Sequence, residues 1–158
     1  MVNDIEKSVL RGEYALGVFL DIAGAFDNLS LSSAVQGMRN KGIPETITSW
    51  YSHYLHNRTA HATLRGCYST HILTKGTPQG GVLSPLIWNL GFDGLLDLFD
   101  KGPVRIKGFA DDAALLVSGR DPYTLVQIMQ TALIKAKTWG DQHGLCLLYT
   151  SPSPRDRG

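Results

Sequence analysis

The chain has 158 residues, 18% of them charged, and a formal net charge of +1. That length holds a single hydrophobic core, and that balance excludes a protein gripping nucleic acid by a general basic excess, so any contact with a phosphate backbone must come from local patches. Cys67 and Cys146 are far apart and lack metal-binding spacing, as in proteins of a reducing compartment, and the sequence shows neither a signal-peptide pattern nor an apolar run of membrane length.

Residues 1–13 set Ile5, Val9 and Leu10 among charges, which predicts the closing turns of a helix that starts upstream. Ala15-Leu16-Gly17-Val18-Phe19-Leu20 is a continuous apolar run and predicts a buried strand ending on Asp21, whose side chain projects from the sheet edge. After a loop, Ser30 is the N-cap of a helix with Leu31, Ala34, Val35 and Met38 on one face and Gly42 as its stop. Pro44 opens a second helix that buries Ile47, Trp50, Tyr51 and Tyr54. This aromatic stripe reads as core rather than as a platform for stacking bases. Thr59–Arg65 and Ser69–Lys75 alternate about Gly66-Cys67-Tyr68 and predict a hairpin carrying Arg58, Arg65 and Lys75 outward. There they face either phosphates or bulk water. His53, His56, His61 and His71 have no ligand-like spacing.

Gly76-Thr77-Pro78-Gln79-Gly80-Gly81 reads as a turn leading into a buried helix from Val82 to about Phe99, with Ser84-Pro85 setting its first turn. Val104–Ala110 and Ala113–Val117 predict two short strands, which puts Asp111 and Asp112 on the tight turn of a hairpin. Asp121 caps and Pro122 opens a last helix with Leu125, Ile128, Met129, Ala132, Ala136 and Trp139 on one face and Lys135 and Lys137 near its end. Gly144-Leu145-Cys146-Leu147 follows this helix. Residues 148–158, rich in Ser, Pro and Arg, carry no strand period and are expected to be an unstructured tail of foreign origin beyond a domain spanning 1–147. These elements together predict an α+β fold, a small antiparallel sheet backed by helices.

Two adjacent carboxylates between apolar strands are costly unless a cation or a set of donors compensates them. Oxygen-only ligands of this kind suit a hard divalent ion such as Mg²⁺. Asp21 at the end of one strand and an Asp pair on a neighbouring hairpin can assemble a two-metal phosphoryl-transfer site. Taken singly, each feature reads equally well as turn chemistry.

Three segments, in order, change that balance. Asp21-Ile22-Ala23-Gly24-Ala25-Phe26-Asp27, Gly76-Thr77-Pro78-Gln79-Gly80-Gly81-Val82-Leu83-Ser84-Pro85-Leu86 and Phe109-Ala110-Asp111-Asp112 resemble the sequence blocks of the reverse transcriptase palm. The wording of Gly76 to Leu90 looks most like retrotransposons without long terminal repeats, of the Jockey-like kind; group II intron and retron enzymes are nearby alternatives. The resemblance covers about Asp4 to Leu147.

The resemblance implies RNA-directed DNA polymerase activity on a right-hand palm that is incomplete at both ends, with Asp21, Asp111 and Asp112 as catalytic residues. It implies two Mg²⁺ ions, or Mn²⁺ in their place, at Asp21, Ile22, Asp111 and Asp112. Ala23, Gly24, Ala25, Phe26, Gln79 and Gly80 are the implied nucleotide-binding positions, Phe26 as the ring that blocks a ribose 2′-hydroxyl and the main chain of 22–25 as donors to the triphosphate. Partners are an RNA template, a DNA primer and deoxynucleoside triphosphates, with no membrane. Fingers, thumb and an endonuclease region would belong to the parent protein. The expected setting is nuclear or cytoplasmic, intracellular and reducing, the nucleus being implied by the resemblance alone. A fragment of this size is expected to be weak or inactive alone, and the competing expectation from another class is an inactive palm remnant that binds nucleic acid or a protein.

Overall fold

The computed structural model describes residues 2–150. The chain divides into two compact units, one formed by the residues up to Ala23 with those from Gly94 onward, the other by Gly24–Asp93. No helix among the described residues is long and apolar enough to cross a membrane.

The first unit is built on an antiparallel sheet of β1 (Tyr14–Ala23), β4 (Arg105–Phe109), β5 (Asp112–Gly119) and β6 (Cys146–Thr150), in the order β4-β5-β1-β6. β1 alternates as a strand with one covered face must: Leu20 and Ile22 are 1% and 2% exposed, whereas Phe19 is 65% exposed. Leu20 pairs with Ala113 and Val18 with Leu115, so the buried Ala113, Leu115 and Val117 of β5 share that inner face. The helix α6 (Pro122–His143) packs on β1, β5 and β6 and buries Leu125, Met129, Ala132, Ala136 and Trp139. Its start matches the expectation. Asp121 accepts hydrogen bonds from the Tyr123 and Thr124 N–H groups, and Gly144, at φ 71°, closes the helix in the left-handed conformation that favours glycine. The helix α1 (Val2–Leu10) packs on β1 and β5. Leu116 and Ser118, on the outer face of β5, line a cavity with Lys7, Ser8 and Arg11 of this segment.

β1 and β6 run past the boundaries expected. β1 continues through Asp21 to Ala23, and β6 runs to Thr150, three residues beyond the predicted end of the domain. The cause is shared: Ala23 pairs with Cys146, Asp21 with Leu148 and Phe19 with Thr150, and main-chain pairing of this kind is indifferent to the missing side-chain period of the last residues. The rest of the expected tail, 151–158, lies outside the described residues.

The second unit contains α2 (Ala25–Asn28), α3 (Leu31–Asn40), α4 (Glu45–Leu55), the hairpin β2 (Arg58–Leu64) and β3 (Cys67–Leu73), and most of α5 (Ser84–Asp97). Ser30 caps α3 by accepting from the Ser33 N–H at 3.0 Å, and Gly37 lets α5 approach: a Cβ there would lie 2.3 Å from the Leu90 carbonyl oxygen. α5 is shorter at both ends than its apolar run suggested. Val82 is 96% exposed, and the Ser84 hydroxyl donates to the Pro78 carbonyl at 2.6 Å across the turn that starts the helix.

α4 is rotated from the expected phase. Thr48, Tyr51 and Leu55 are buried, whereas Ile47, Trp50 and Tyr54 are about half exposed. Only Tyr51 of the predicted apolar face is core; Trp50 and Tyr54 stack on each other at the surface, ring centroids 5.7 Å apart. The hairpin turns on Arg65 and Gly66, both at positive φ (50° and 82°), which is the two-residue turn that matches strand twist rather than the three-residue turn expected at 66–68.

Candidate active site

The sheet register brings two of the three carboxylates to adjacent strand ends. The last β1–β5 pair is Leu20 with Ala113, and Asp21 and Asp112 are the next residue on each strand beyond it. Asp112 pairs with Phe109 of β4, and Asp21 with Leu148 of β6. Both aspartates are exposed at this end of the sheet. Leu20 and Ala113, one step back, point into the core, which aims the two aspartates at the opposite, open face.

Asp111 is placed differently. It forms the two-residue turn with Ala110, between Phe109 and Asp112. Ala110 sits at φ 55°, a region where a Cβ is strained and which turns of this kind assign to glycine at their first central position. The sequence reading put both aspartates on the turn; Asp112 instead opens β5, and only Asp111, half-buried, is on the turn itself. Neighbouring carboxylates thus leave the backbone in different settings, one on the ladder and one at the hairpin tip. Among the described residues no group of three or more His, Cys, Asp or Glu side chains is gathered closely enough to hold a metal ion. The donor set is nonetheless of one chemistry, carboxylate oxygen at one end of one sheet, which fits Mg²⁺ or Mn²⁺ rather than a softer metal. The Ile22 side chain is 2% exposed, so any part it takes is through its main chain.

The remaining predicted positions lie in the second unit, which the chain enters at Gly24. Gly24 adopts φ 57° at the start of α2, and a Cβ there would meet the Asn28 side chain at 2.7 Å. Ala25 is buried; Phe26 is half-buried, its ring 5.8 Å from that of Trp88. The segment bearing Gln79 is laid along α2. The Gly76 N–H donates to the Leu29 carbonyl at 2.7 Å, the Thr77 N–H to that of Phe26 at 2.8 Å, and the Gln79 amide nitrogen reaches both carboxylate oxygens of Asp27. Gly80 follows at φ 81° with open space around it. Asp27 lies inside a motif legible in the sequence, yet it was given no role there; its position directly after Phe26 was the available signal.

The predicted basic contacts separate. Arg58 is turned inward to the main chain, donating to the Gly76 carbonyl at 2.5 Å and to those of Lys75 and Leu55 at 3.3 Å, so its role is to fix the 75–76 segment rather than to reach outward. Lys75 donates to the Asn28 side-chain oxygen at 2.6 Å. Arg65 is at the exposed hairpin tip.

A helix-backed antiparallel sheet with an aspartate on one strand beside an aspartate hairpin defines a polymerase-type palm. The family model described as "Reverse transcriptase (RNA-dependent DNA polymerase)" matches residues 2–148, and the chain belongs to that family. It is 32% identical over 135 residues to the putative 115 kDa protein of the type-1 retrotransposable element R1DM of Drosophila melanogaster, covering 85% of this chain and 13% of that protein. It is 27% identical over 148 residues to the RNA-directed DNA polymerase from mobile element jockey of the same species, covering 89% of this chain and 16% of that one. Both are proteins of retrotransposons, in line with the wording of the sequence blocks. Among solved structures, apo telomerase from Candida tropicalis superposes with a TM-score of 0.67 at 10% identity, over 96% of this chain and 32% of that one, which shows a shared fold. The chain thus spans about a seventh of the length of these curated relatives.

Proposed function

We propose that the chain is the catalytic palm portion of an RNA-directed DNA polymerase of a Jockey-like retrotransposon, adding deoxynucleotides to a primer 3′-hydroxyl on an RNA template. The observation that supports this is the strand pairing that ends at Leu20 and Ala113, just before Asp21 and Asp112 and beside the Asp111 turn, in a chain matched by the reverse transcriptase family over nearly its whole length. In the reaction, the 3′-hydroxyl attacks the α-phosphate of the incoming nucleotide and pyrophosphate leaves. Two divalent ions, when bound, activate the attacking oxygen and neutralise the charge on the phosphates. Asp21, Asp111 and Asp112, with the Ile22 main chain, would hold them.

In the second unit, Phe26 is the steric bar to a ribose 2′-hydroxyl; its packing on Trp88 gives the ring a fixed backing. Gly24 and Ala25, with Ala23 before them, supply main-chain donors to the triphosphate, and Gln79 and Gly80 touch the nucleotide. The absence of a side chain at Gly80 leaves room for that approach. Arg65, at the exposed hairpin tip, is the best placed of the three basic residues for a phosphate contact. Template, primer and deoxynucleoside triphosphates are its partners, and fingers, thumb and endonuclease regions belong to the longer parent protein. The setting is intracellular and reducing, with Cys67 and Cys146 as free thiols.

Primer extension on an RNA template with Mg²⁺ tests this, using the parent protein that carries the chain beside its Asp111→Asn variant. Extension by the former and none by the latter supports the reading. Equal extension by both would sink it, and no extension by either folded protein would favour the remnant that only binds.

A further inference from the structure

The Asp27 carboxylate stands against the amide of Gln79, whose Nε2 lies 2.8 Å from Oδ1 and 2.9 Å from Oδ2. A carboxylate only accepts hydrogen bonds, so this contact admits one orientation of the amide: nitrogen toward Asp27, Oε1 turned away. The main chain beneath Gln79 is pinned as well. Gly76 and Thr77 donate to the Leu29 and Phe26 carbonyls, and a Cβ added at Gly76 would lie 2.7 Å from the Asp27 carbonyl oxygen, so no space separates this segment from α2. On the far side, the Gly81 N–H and the Ser84 hydroxyl both donate to the Pro78 carbonyl, at 3.0 and 2.6 Å. Gln79 is therefore an exposed side chain on a fixed backbone, and Asp27 sets the polarity of its amide.

We propose that Asp27 is a positioning residue: it locks the Gln79 amide so that Oε1 is the atom offered to the nucleotide. That point of the site then selects a hydrogen-bond donor, either a sugar hydroxyl or an N–H group of the base. The inference rests on the reading of Gln79 as a nucleotide contact. Without Asp27 the amide turns over freely and presents either polarity, so the oriented contact is lost although Gln79 is still present. One oriented hydrogen bond corresponds to about tenfold in affinity.

Two measurements on the 158-residue chain test this. In the first, side-chain amide NMR at neutral pH follows the Gln79 Nε2–H pair. In the wild type these protons are held by the Asp27 carboxylate and exchange slowly with solvent; in Asp27→Ala, which removes the acceptor, they exchange freely. Identical behaviour of wild type and variant would overturn the proposal.

In the second, dTTP binding is measured with Mg²⁺ for wild type, Asp27→Ala, Gln79→Ala and the double variant. Each single change weakens binding about tenfold and the double variant loses no more than either, because all three remove the same contact. Losses that add would overturn the proposal, since Asp27 would then act independently of Gln79. Dideoxy-TTP separates the two donors: weakened binding to the wild type assigns the 3′-hydroxyl, and unchanged binding assigns the base. If the NMR signature is intact but wild type binds no dTTP, the positioning stands, and it is the nucleotide reading of the site that fails.

Discussion

Replacing Gly76 and Gly80 by alanine, one at a time, separates two costs that the fold imposes on the segment bearing Gln79. Both glycines have φ near 81°, a conformation that costs an L residue about 1–2 kcal/mol. Around Gly80 a new Cβ meets nothing within 4 Å, so Gly80→Ala carries the conformational cost alone, reduced by the lower entropy of its unfolded chain, for a net loss of about 1 kcal/mol. At Gly76 the same Cβ would lie 2.7 Å from the Asp27 carbonyl oxygen and 3.0 Å from its Cα and carbonyl carbon, all main-chain atoms that cannot rotate aside. Relief requires the segment to lift from α2, which adds about 1–3 kcal/mol of overpacking strain. Lifting also endangers the 2.7 Å bond from the Gly76 N–H to Leu29, a further ~1 kcal/mol. Gly76→Ala should therefore cost about 3–5 kcal/mol, several times its neighbour. Urea unfolding followed by circular dichroism measures both. Equal losses at the two positions would refute the argument that the segment is pressed against α2.

Trp50→Ala should cost less than about 1 kcal/mol and Tyr51→Ala about 3 kcal/mol or more, because adjacent aromatic residues on α4 are 55% and 1% exposed; the reverse order in thermal unfolding would restore the phase expected from the sequence. Hydrogen bonds from the Thr124 side chain, and then from its main chain, hold the Asp121 carboxyl below its ordinary range. A depressed pKa contributes stability that is present at neutral pH and is lost as pH falls through the folded-state value. Asp121→Ala should thus melt below wild type at pH 7, with the gap closing below about pH 4; a gap independent of pH would contradict the capping role. In an active parent protein, Phe26→Val should raise ribonucleotide incorporation relative to deoxynucleotide by about tenfold or more, read from kcat/KM for each; unchanged sugar selection would remove Phe26 from that role.

Much of the first unit was legible because its code is periodic. Ala113, Leu115 and Val117 alternate with outward residues, the buried row from Leu125 to Trp139 recurs at helical spacing, and Asp121 marks the start of α6 with side-chain chemistry local to the sequence. The departures arise where main-chain geometry or tertiary choice decides. β6 reaches Thr150 because β1 offers a ladder to pair with, not because Leu148 to Thr150 carry a pattern. α4 buries Thr48 rather than Trp50 because a helix rich in apolar residues on two faces has two admissible phases, and only its neighbours choose between them. Arg58 reads as a surface cation, yet its guanidinium is turned to carbonyls whose positions no residue spacing reveals. For the candidate site, the sequence offered three aspartates; the ladders add that Asp112 opens β5 whereas Asp111 sits on the turn.

The account rests most heavily on the claim that this end of the sheet is a metal centre built from Asp21, Asp111 and Asp112. Titration of Mn²⁺ into the chain in the presence of dTTP, followed by electron paramagnetic resonance, tests it without requiring turnover. The account predicts saturable, dTTP-dependent binding that is strongly weakened by Asp21→Asn and by Asp112→Asn, with both variants folded by circular dichroism. Mn²⁺ binding that is the same in wild type and in both variants would contradict it.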